Sequence, residues 1–302
     1  MLIKYCQIDG GNFGDDLNTL IWSQLFPDLS ALKGAVLFYG IGTLLDGRHN
    51  RAIKKVVLGT GIGEINATMP DPNWDFRWVR GLLSAREFNL PTALALGDSS
   101  LLWSGLHAGH NEHGPIGLIP HYRTWDSYDW DSVAANAGMV AINPRQAPSA
   151  VIAQMRNCSR ILSESLHGAI CADAIEIPWA SCILAHRFNE FKWKDWLSTI
   201  QRPFTPFVTD RPLIKTIRHT KAWANQLARW VRYKRHTRYP ALRPIAASTD
   251  TDAARVSDAL ARYGRCEINF YCSKPSDIAR QKERMLEHCS LFASDYNLRF
   301  NP

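Results

Sequence analysis

The sequence predicts an α/β protein made of two doubly wound, Rossmann-like domains that face a cleft, followed by a C-terminal helical extension. A chain of 302 residues is too long for one small core. Short apolar runs alternate with helical patterns, and four runs in the first half end at a glycine, which is typical of parallel strands. The alternation restarts after a stretch rich in Gly, His and Asn over 105–115, which we interpret as a linker.

The predicted elements divide the chain into three parts. The first domain, residues 1–112, holds strands over 2–6, 35–39, 55–58, 76–79 and 93–96, with a helix over 15–26. The second domain, residues 113–210, holds strands over 116–120, 139–143, 160–163 and 179–184, with helices over 148–157, 166–175 and 189–199. Prolines at 203, 206 and 212 end this domain. The extension, residues 211–302, holds helices over 213–233, 252–263 and 276–292, and a short apolar run over 268–271.

Composition excludes several classes of protein. Hydrophobic residues at 46% and charged residues at 21% are typical of a folded chain and argue against long disorder. The 7 cysteines are odd in number and form no C-x-x-C pair, so we expect reduced thiols and no metal site. No apolar run is long enough for a signal peptide or a spanning helix, which predicts a cytoplasmic protein.

The net charge of +7 is concentrated in one segment. Residues 211–243 hold 10 basic residues and no acid, while the rest of the chain has a net charge of −3. No nucleic-acid-binding module appears, so we expect no nucleic-acid partner. On a helix over 213–233, an apolar arc with two tryptophans lies opposite lysines and arginines. Two interpretations remain open: the helix binds an anionic membrane surface, or it packs on the second domain with its basic face solvated.

A glycine-rich loop over 9–16 joins the first strand to its helix. Glycines such as Gly14 let a ligand approach the backbone closely, and a helix N-terminus favours an anion. Asn12 and Asp15 add polar groups at the same point. A second interpretation is that Asp15 and Asp16 cap the helix and complement its dipole.

Two arginines near the end of another strand predict an anion clamp. Arg80 ends the strand, where open α/β sheets bind ligands, and Arg86 lies in the helix that follows. Guanidinium groups match the geometry of carboxylate and phosphate. The alternative is a solvated arginine on a surface turn.

The most informative segment places an imidazole at a strand end. An apolar strand ends at Ser163, and a helix of small residues begins near His167. Such a histidine can donate a hydrogen bond to an oxyanion or act as a base, although a structural histidine is the alternative. Weaker binding candidates follow other strands or lie in an aromatic and basic helix that could instead be core: His121, Arg123, Arg145, Lys192 and Lys194.

Five short segments, taken in order, resemble the polysaccharide pyruvyltransferase family. They are NFGD at 12–15, GTG at 59–61, VRGLLSAR at 79–86, LGDS at 96–99 and ESLHGAI at 164–170, and together they span roughly residues 1–200. The resemblance is closest to members that make exopolysaccharides such as succinoglycan, and it adds Gly61 to the binding candidates. One departure is Ser165, where many members have an arginine, so the anion-binding duty of that arginine falls to another residue or is absent.

The resemblance implies a GT-B fold and transfer of pyruvate from phosphoenolpyruvate to a sugar as a cyclic ketal, with release of phosphate. The acceptor is often a lipid-linked repeat unit, and no cofactor or obligatory metal is expected. In this interpretation His167 binds phosphate or acts as general acid, and Asp15 is the base toward the sugar hydroxyl. Arg80 and Arg86 bind the anions of the donor, with Glu164 as a reserve acid.

Two other functions stay open at this point. A nucleotide-sugar glycosyltransferase suits the same pair of α/β domains. A non-catalytic glycan-binding protein would retain the cleft and release no phosphate. A lipid-linked acceptor would place a cytoplasmic enzyme at the inner face of the plasma membrane, where the basic helix would meet anionic lipid.

Overall fold

The protein contains two parallel β-sheets, which confirms the α/β class. A computed structural model describes residues 3–45, 52–63, 71–185, 188–215 and 247–302. The N-terminal sheet has four strands and the C-terminal sheet has five. No helix in the described ranges is both long enough and apolar enough to span a bilayer.

The N-terminal sheet follows chain order, and each strand is parallel to the next. Its strands are β1 (Ile3–Lys4), β2 (Val36–Tyr39), β3 (Lys54–Leu58) and β4 (Trp74–Trp78). Helix α1 (Phe13–Leu25) connects β1 to β2, and α2 (Leu82–Glu87) follows β4. Helix α1 forms because Leu17, Ile21 and Leu25 repeat on one buried face and two acidic residues occupy its first turn.

The C-terminal sheet has the strand order β6-β5-β7-β8-β9, and all neighbouring strands are parallel. Its strands are β5 (Ile116–Ile119), β6 (Met139–Ala141), β7 (Arg160–Ser163), β8 (Trp179–Ile183) and β9 (Phe207–Val208). Its helices are α3 (Tyr122–Trp125), α4 (Trp130–Asn136), α5 (Pro148–Arg156), α6 (Leu166–Ala174) and α7 (Glu190–Leu197).

One local prediction is wrong. The predicted strand over 93–96 is a 3-10 turn, Thr92–Leu94, which meets the sheet only through a single bridge between Val79 and Ala95. A four-residue apolar run cannot distinguish a strand from such a turn. Strand β9 lies between the prolines at 206 and 212 and pairs with β8, inside the predicted bounds of the second domain, residues 113–210. A strand that pairs on one side can tolerate flanking prolines.

The region predicted as a C-terminal extension contributes one helix to each half of the protein. Helix α8 (Asp250–Gly264) begins with a capping box and packs on α4, where the Ser257 hydroxyl donates to the Val133 carbonyl at 3.0 Å. Helix α9 (Pro275–Tyr296) packs on the N-terminal sheet, where Phe292 meets Phe26 and Phe38.

The helix predicted over 213–233 falls mostly outside the described residues. The three residues of it that are described, 213–215, are not helical. Leu213 is buried in the core of the C-terminal half, and the amide of Lys215 donates to the Ser127 carbonyl at 2.9 Å. Residues 216–246 lie beyond the described ranges.

The carboxyl ends of the two sheets meet. The amide of Phe13, which follows β1, donates to the Pro144 carbonyl after β6 at 3.0 Å. The Asn189 amide group, after β8, donates to the Gly63 carbonyl after β3 at 2.9 Å. One apolar cluster contains residues from both sheets. Open parallel sheets bind ligands at this edge, so the junction of the two edges is the place to search for a site.

Candidate functional site

The loop after β1 positions a carboxylate at the junction. Gly11 has φ +83, and a Cβ there would strike the backbone of Arg145. The side-chain amide of Asn12 donates to Oδ2 of Asp15 at 2.7 Å. Burial raises the pKa of Asp15, although His167 and Lys192 act in the opposite direction. A carboxylate with a raised pKa is a stronger base than an ordinary carboxylate, which suits Asp15 to accept a proton.

His167 lies directly on this loop. The turn from β7 to α6 is fixed by the Ser163 hydroxyl, which donates to the Ser165 carbonyl at 2.7 Å, and a Cβ at Gly168 would clash with Ser163. The imidazole packs against Gly14, where any side chain would overlap the ring. The structure therefore brings the first and last motifs of the resemblance into contact.

Asp98 is a site residue that the sequence analysis did not single out. Its Oδ1 atom accepts a hydrogen bond from the Ser100 amide at 3.0 Å, and its Oδ2 atom lies 3.6 Å from Nε2 of His167. Burial acts to raise the pKa of Asp98, but His167 and the Ser100 amide outweigh it and hold this pKa below its ordinary value. The available signal was its position in LGDS, just after a run predicted as a strand.

Glu164 holds strand ends together. One carboxylate oxygen accepts the amides of Leu184 and Ala185, both at 2.9 Å, and the other accepts the amide of His121 at 2.9 Å. Burial raises the pKa of Glu164 against the effect of these hydrogen bonds. Because both carboxylate oxygens accept hydrogen bonds from backbone amides, Glu164 holds the strand ends in place. Neither oxygen is left free to bind a ligand alone.

Lys192 contributes a cation that no carboxylate in the described chain neutralises by an ion pair. Helix α7 buries Trp193 and Trp196 against β8 and leaves Lys192 only half-buried near Asp15. Burial first, and then the charge of Arg80, lower the pKa of Lys192 to about 8.

His121 and Arg123 follow β5 beside this lysine. Burial first, and then the charges of Lys192 and two arginines, hold the pKa of His121 well below its ordinary value, so its ring is neutral at pH 7. Nδ1 of His121 accepts the Arg123 amide at 3.4 Å, which assigns the ring proton to Nε2. Nε of Arg123 donates to the Tyr122 hydroxyl at 2.9 Å, while the side chain stays exposed.

Arg145 joins the two halves. Its guanidinium pairs with Asp126 and donates to the carbonyls of Asp9 and Gly11, at 3.0 and 3.3 Å. This residue is therefore committed to protein contacts that hold the glycine-rich loop beside the C-terminal sheet.

Arg80 is buried and fully engaged beneath the site. Its Nε donates to Oδ2 of Asp195 at 3.1 Å, and its other nitrogens donate to the carbonyls of Gly42 and Ile62 at 3.1 and 2.8 Å. Only 1% of Arg80 is exposed. Gly61 packs against this ion pair, where a Cβ would clash. Arg80 was predicted to bind a ligand. In the structure its guanidinium instead holds together the loops that follow β2 and β3.

Two predicted binding residues point elsewhere. Arg86 is exposed on α2, about 200° around the helix from the buried Ser84, which contacts Asp195. Lys194 forms an ion pair with the buried carboxylate of Glu190, one turn earlier in α7. Neither residue contacts the junction residues described above.

The chemistry of the junction follows from its charge distribution. The N-terminal side contributes the carboxylates of Asp15 and Asp98, and the C-terminal side contributes His167, His121 and Lys192. Such a site can bind an anion and move protons by general acid–base catalysis. The described part of the chain holds no group of three or more His, Cys, Asp and Glu arranged to bind a metal ion.

The chain is similar to a known protein of polysaccharide biosynthesis. No protein-family model matches the chain. Over 209 residues it is 32% identical to the succinoglycan biosynthesis protein ExoV of Rhizobium meliloti (strain 1021). The match covers 67% of this chain and 66% of the relative, slightly under two thirds of the relative's length. The chain is therefore similar, over most of its length, to a protein of succinoglycan biosynthesis.

Proposed function

We propose that this protein transfers pyruvate from phosphoenolpyruvate to a sugar of an exopolysaccharide repeat unit, as a cyclic ketal. The observation that carries the proposal is the junction itself, where Asp15 faces His167 and Lys192. Similarity to a succinoglycan biosynthesis protein supports a role in exopolysaccharide biosynthesis. Two parallel sheets whose ligand-binding edges meet are compatible with a GT-B arrangement.

The charge distribution assigns the two substrates to different sides. Phosphoenolpyruvate carries a phosphate and a carboxylate, so it binds the C-terminal side, near Lys192, Arg123 and the neutral Nε2–H of His121. Sugar hydroxyls are neutral donors, so they bind the N-terminal side, near Asp15 and Asn12. Ser165 stands where many members of the resembled family have an anion-binding arginine. In this proposal Lys192 binds the anion in its place.

The reaction needs acid–base groups that this junction holds. Two C–O bonds form at C2 of phosphoenolpyruvate, and the bond from C2 to the phosphate oxygen breaks. Of the two hydroxyl protons released, one is balanced by the proton that converts the C3 methylene to methyl, and the other leaves with phosphate. Asp15 accepts a hydroxyl proton, and His167 exchanges a proton with the donor.

A donor screen tests the proposal. The protein is incubated with purified lipid-linked oligosaccharide and either phosphoenolpyruvate or a set of nucleotide sugars. We expect phosphate release from phosphoenolpyruvate and a product whose added pyruvyl mass is lost in mild acid. Release of a nucleoside diphosphate would instead identify a glycosyltransferase, and acceptor binding without either release would identify a glycan-binding protein.

We expect kcat/KM for phosphoenolpyruvate to fall as the pH rises through about 8. Lys192 is charged below its pKa of about 8 and neutral above it, and only the charged form attracts the donor anion. In Lys192→Arg the guanidinium stays charged, so the alkaline fall should disappear. Initial rates of phosphate release at low donor concentration measure this profile. Lys194→Arg is the matched control and should keep the wild-type profile; a wild-type profile flat through pH 8 would contradict the role of Lys192.

A lipid-linked acceptor implies a membrane partner, and the sequence of the basic segment 211–243 supports one. Each basic residue near an anionic cytoplasmic surface contributes about 1 kcal/mol, so several together would hold the protein reversibly at the inner leaflet. We expect the protein to float with vesicles that contain anionic lipid, and to float less as salt rises. Flotation through a density gradient measures this binding.

Charge reversal separates this binding from catalysis. Changing Arg218, Lys221, Arg229 and Arg232 to Glu should abolish flotation while turnover of a soluble acceptor stays intact. A control variant reverses four exposed basic residues elsewhere, namely Arg255, Arg262, Arg265 and Lys274. Flotation that does not depend on lipid charge would contradict membrane binding by the basic segment. It would indicate instead that the apolar arc of the segment packs in the protein core.

A further inference from the structure

Two buried polar atoms face each other across the junction without a hydrogen-bond partner in the described chain. They are Oδ2 of Asp98, from the N-terminal half, and Nε2 of His167, in the first turn of α6. They lie 3.6 Å apart, which is longer than a hydrogen bond of about 2.7–2.9 Å between an imidazole and a carboxylate. A buried donor and a buried acceptor that lack partners are energetically unfavourable. We therefore expect Oδ2 of Asp98 and Nε2 of His167 to come within hydrogen-bond distance when a ligand occupies the site.

The backbone fixes the orientation of both side chains. Oδ1 of Asp98 is committed to the Ser100 amide at 3.0 Å, which leaves Oδ2 directed at the imidazole. The edge of His167 that carries Nδ1 lies over Gly14, where the absence of a side chain gives the ring its space. Nε2 therefore faces Asp98, and Nδ1 faces the glycine-rich loop that holds Asp15.

Asp173 is a buried carboxylate whose hydrogen bonding differs from that of Asp98. Asp173, at the other end of α6, is equally buried, and both of its oxygens accept hydrogen bonds. The donors are the Trp179 indole at 2.9 Å and the amide and hydroxyl of Ser273, both at 2.7 Å. Asp98 keeps one oxygen free of such bonds and directs it at a single histidine.

We propose that Asp98 is a positioning residue that acts through His167. It accepts the hydrogen bond from Nε2–H of the imidazole. When the ring carries one proton, this bond selects the Nε2–H tautomer and leaves the lone pair of Nδ1 toward the glycine-rich loop. The role of His167 in proton exchange rests on the proposed function, whereas the orientation of its ring does not.

Asp98→Asn tests this assignment because it keeps the bond to Ser100 and replaces Oδ2 by a donor. The new amide would donate to Nε2, so the ring proton would move to Nδ1. Long-range ¹H–¹⁵N spectra of the full chain labelled with ¹⁵N-histidine report the tautomer, and loss of a signal in His167→Gln identifies the residue. We expect the Nε2–H form in the wild type and the Nδ1–H form in the variant. We also expect kcat to fall at least about 100-fold while KM for phosphoenolpyruvate changes less than about threefold.

The two readouts separate this proposal from the proposed function. A wild-type spectrum with the Nδ1–H form overturns it, even if Asp98→Asn does not fold. An unchanged tautomer in Asp98→Asn, or an inverted tautomer with unchanged kcat, also overturns it. An inverted tautomer in a protein whose wild type releases no phosphate from phosphoenolpyruvate supports the orientation and contradicts the proposed function. Asp173→Asn is the matched control and should leave the His167 tautomer as in the wild type.

Discussion

His167→Ala is expected to lower phosphate release from phosphoenolpyruvate about 10³-fold, the typical contribution of a general acid or base. The imidazole is the group that meets both Gly14 and Asp98 at the junction, and no other described side chain takes its place there. Initial rates at saturating donor and acceptor measure the effect, and thermal unfolding shows whether the variant stays folded.

His113→Ala is the matched control for this substitution. His113 is exposed in the loop between the two sheets, so its removal should leave the rate near that of the wild type. A His167→Ala variant with near wild-type turnover would contradict the assignment of His167, and the acid would then have to be sought among Lys192 and His121.

Asp195→Ala is expected to destabilise the protein by about 3–5 kcal/mol, because it leaves the buried charge of Arg80 without a partner. Asp195 also accepts the amide and hydroxyl of Ser84, at 2.8 and 2.6 Å, and both donors would lose their acceptor. The free energy of unfolding in urea measures the change.

Two further variants calibrate this value. Asp195→Asn keeps one acceptor oxygen and should cost less than the alanine substitution. Glu267→Ala removes an ion pair with Arg160 in which Glu267 is 80% exposed, and it should cost at most about 1 kcal/mol. If Asp195→Ala cost no more than Glu267→Ala, the buried pair would not be what joins α7 to the N-terminal half.

The sequence by itself determined the class of fold and the rough position of most elements. Strand β7 was predicted with its observed bounds, and α1, α5 and α6 differ from prediction by one or two residues at an end. These features depend on local patterns, namely apolar periodicity and the residues that end an element. The same local patterns predicted that His167 follows the end of a strand, because the apolar pattern of the sequence shows where a buried strand ends.

Only the tertiary structure decided which charged residues are available to a ligand. Arg80 and Lys192 are both basic residues beside the site. The charge of Arg80, however, is paired with Asp195, which is 115 residues away in the chain. Lys192 meets no such partner within the described ranges and keeps its cation at the junction. Burial and pairing depend on side chains that distant segments bring together, and these set the free energy of each charge. The contact between Asp98 and His167 has the same origin, since it exists only because the ends of two separate sheets meet.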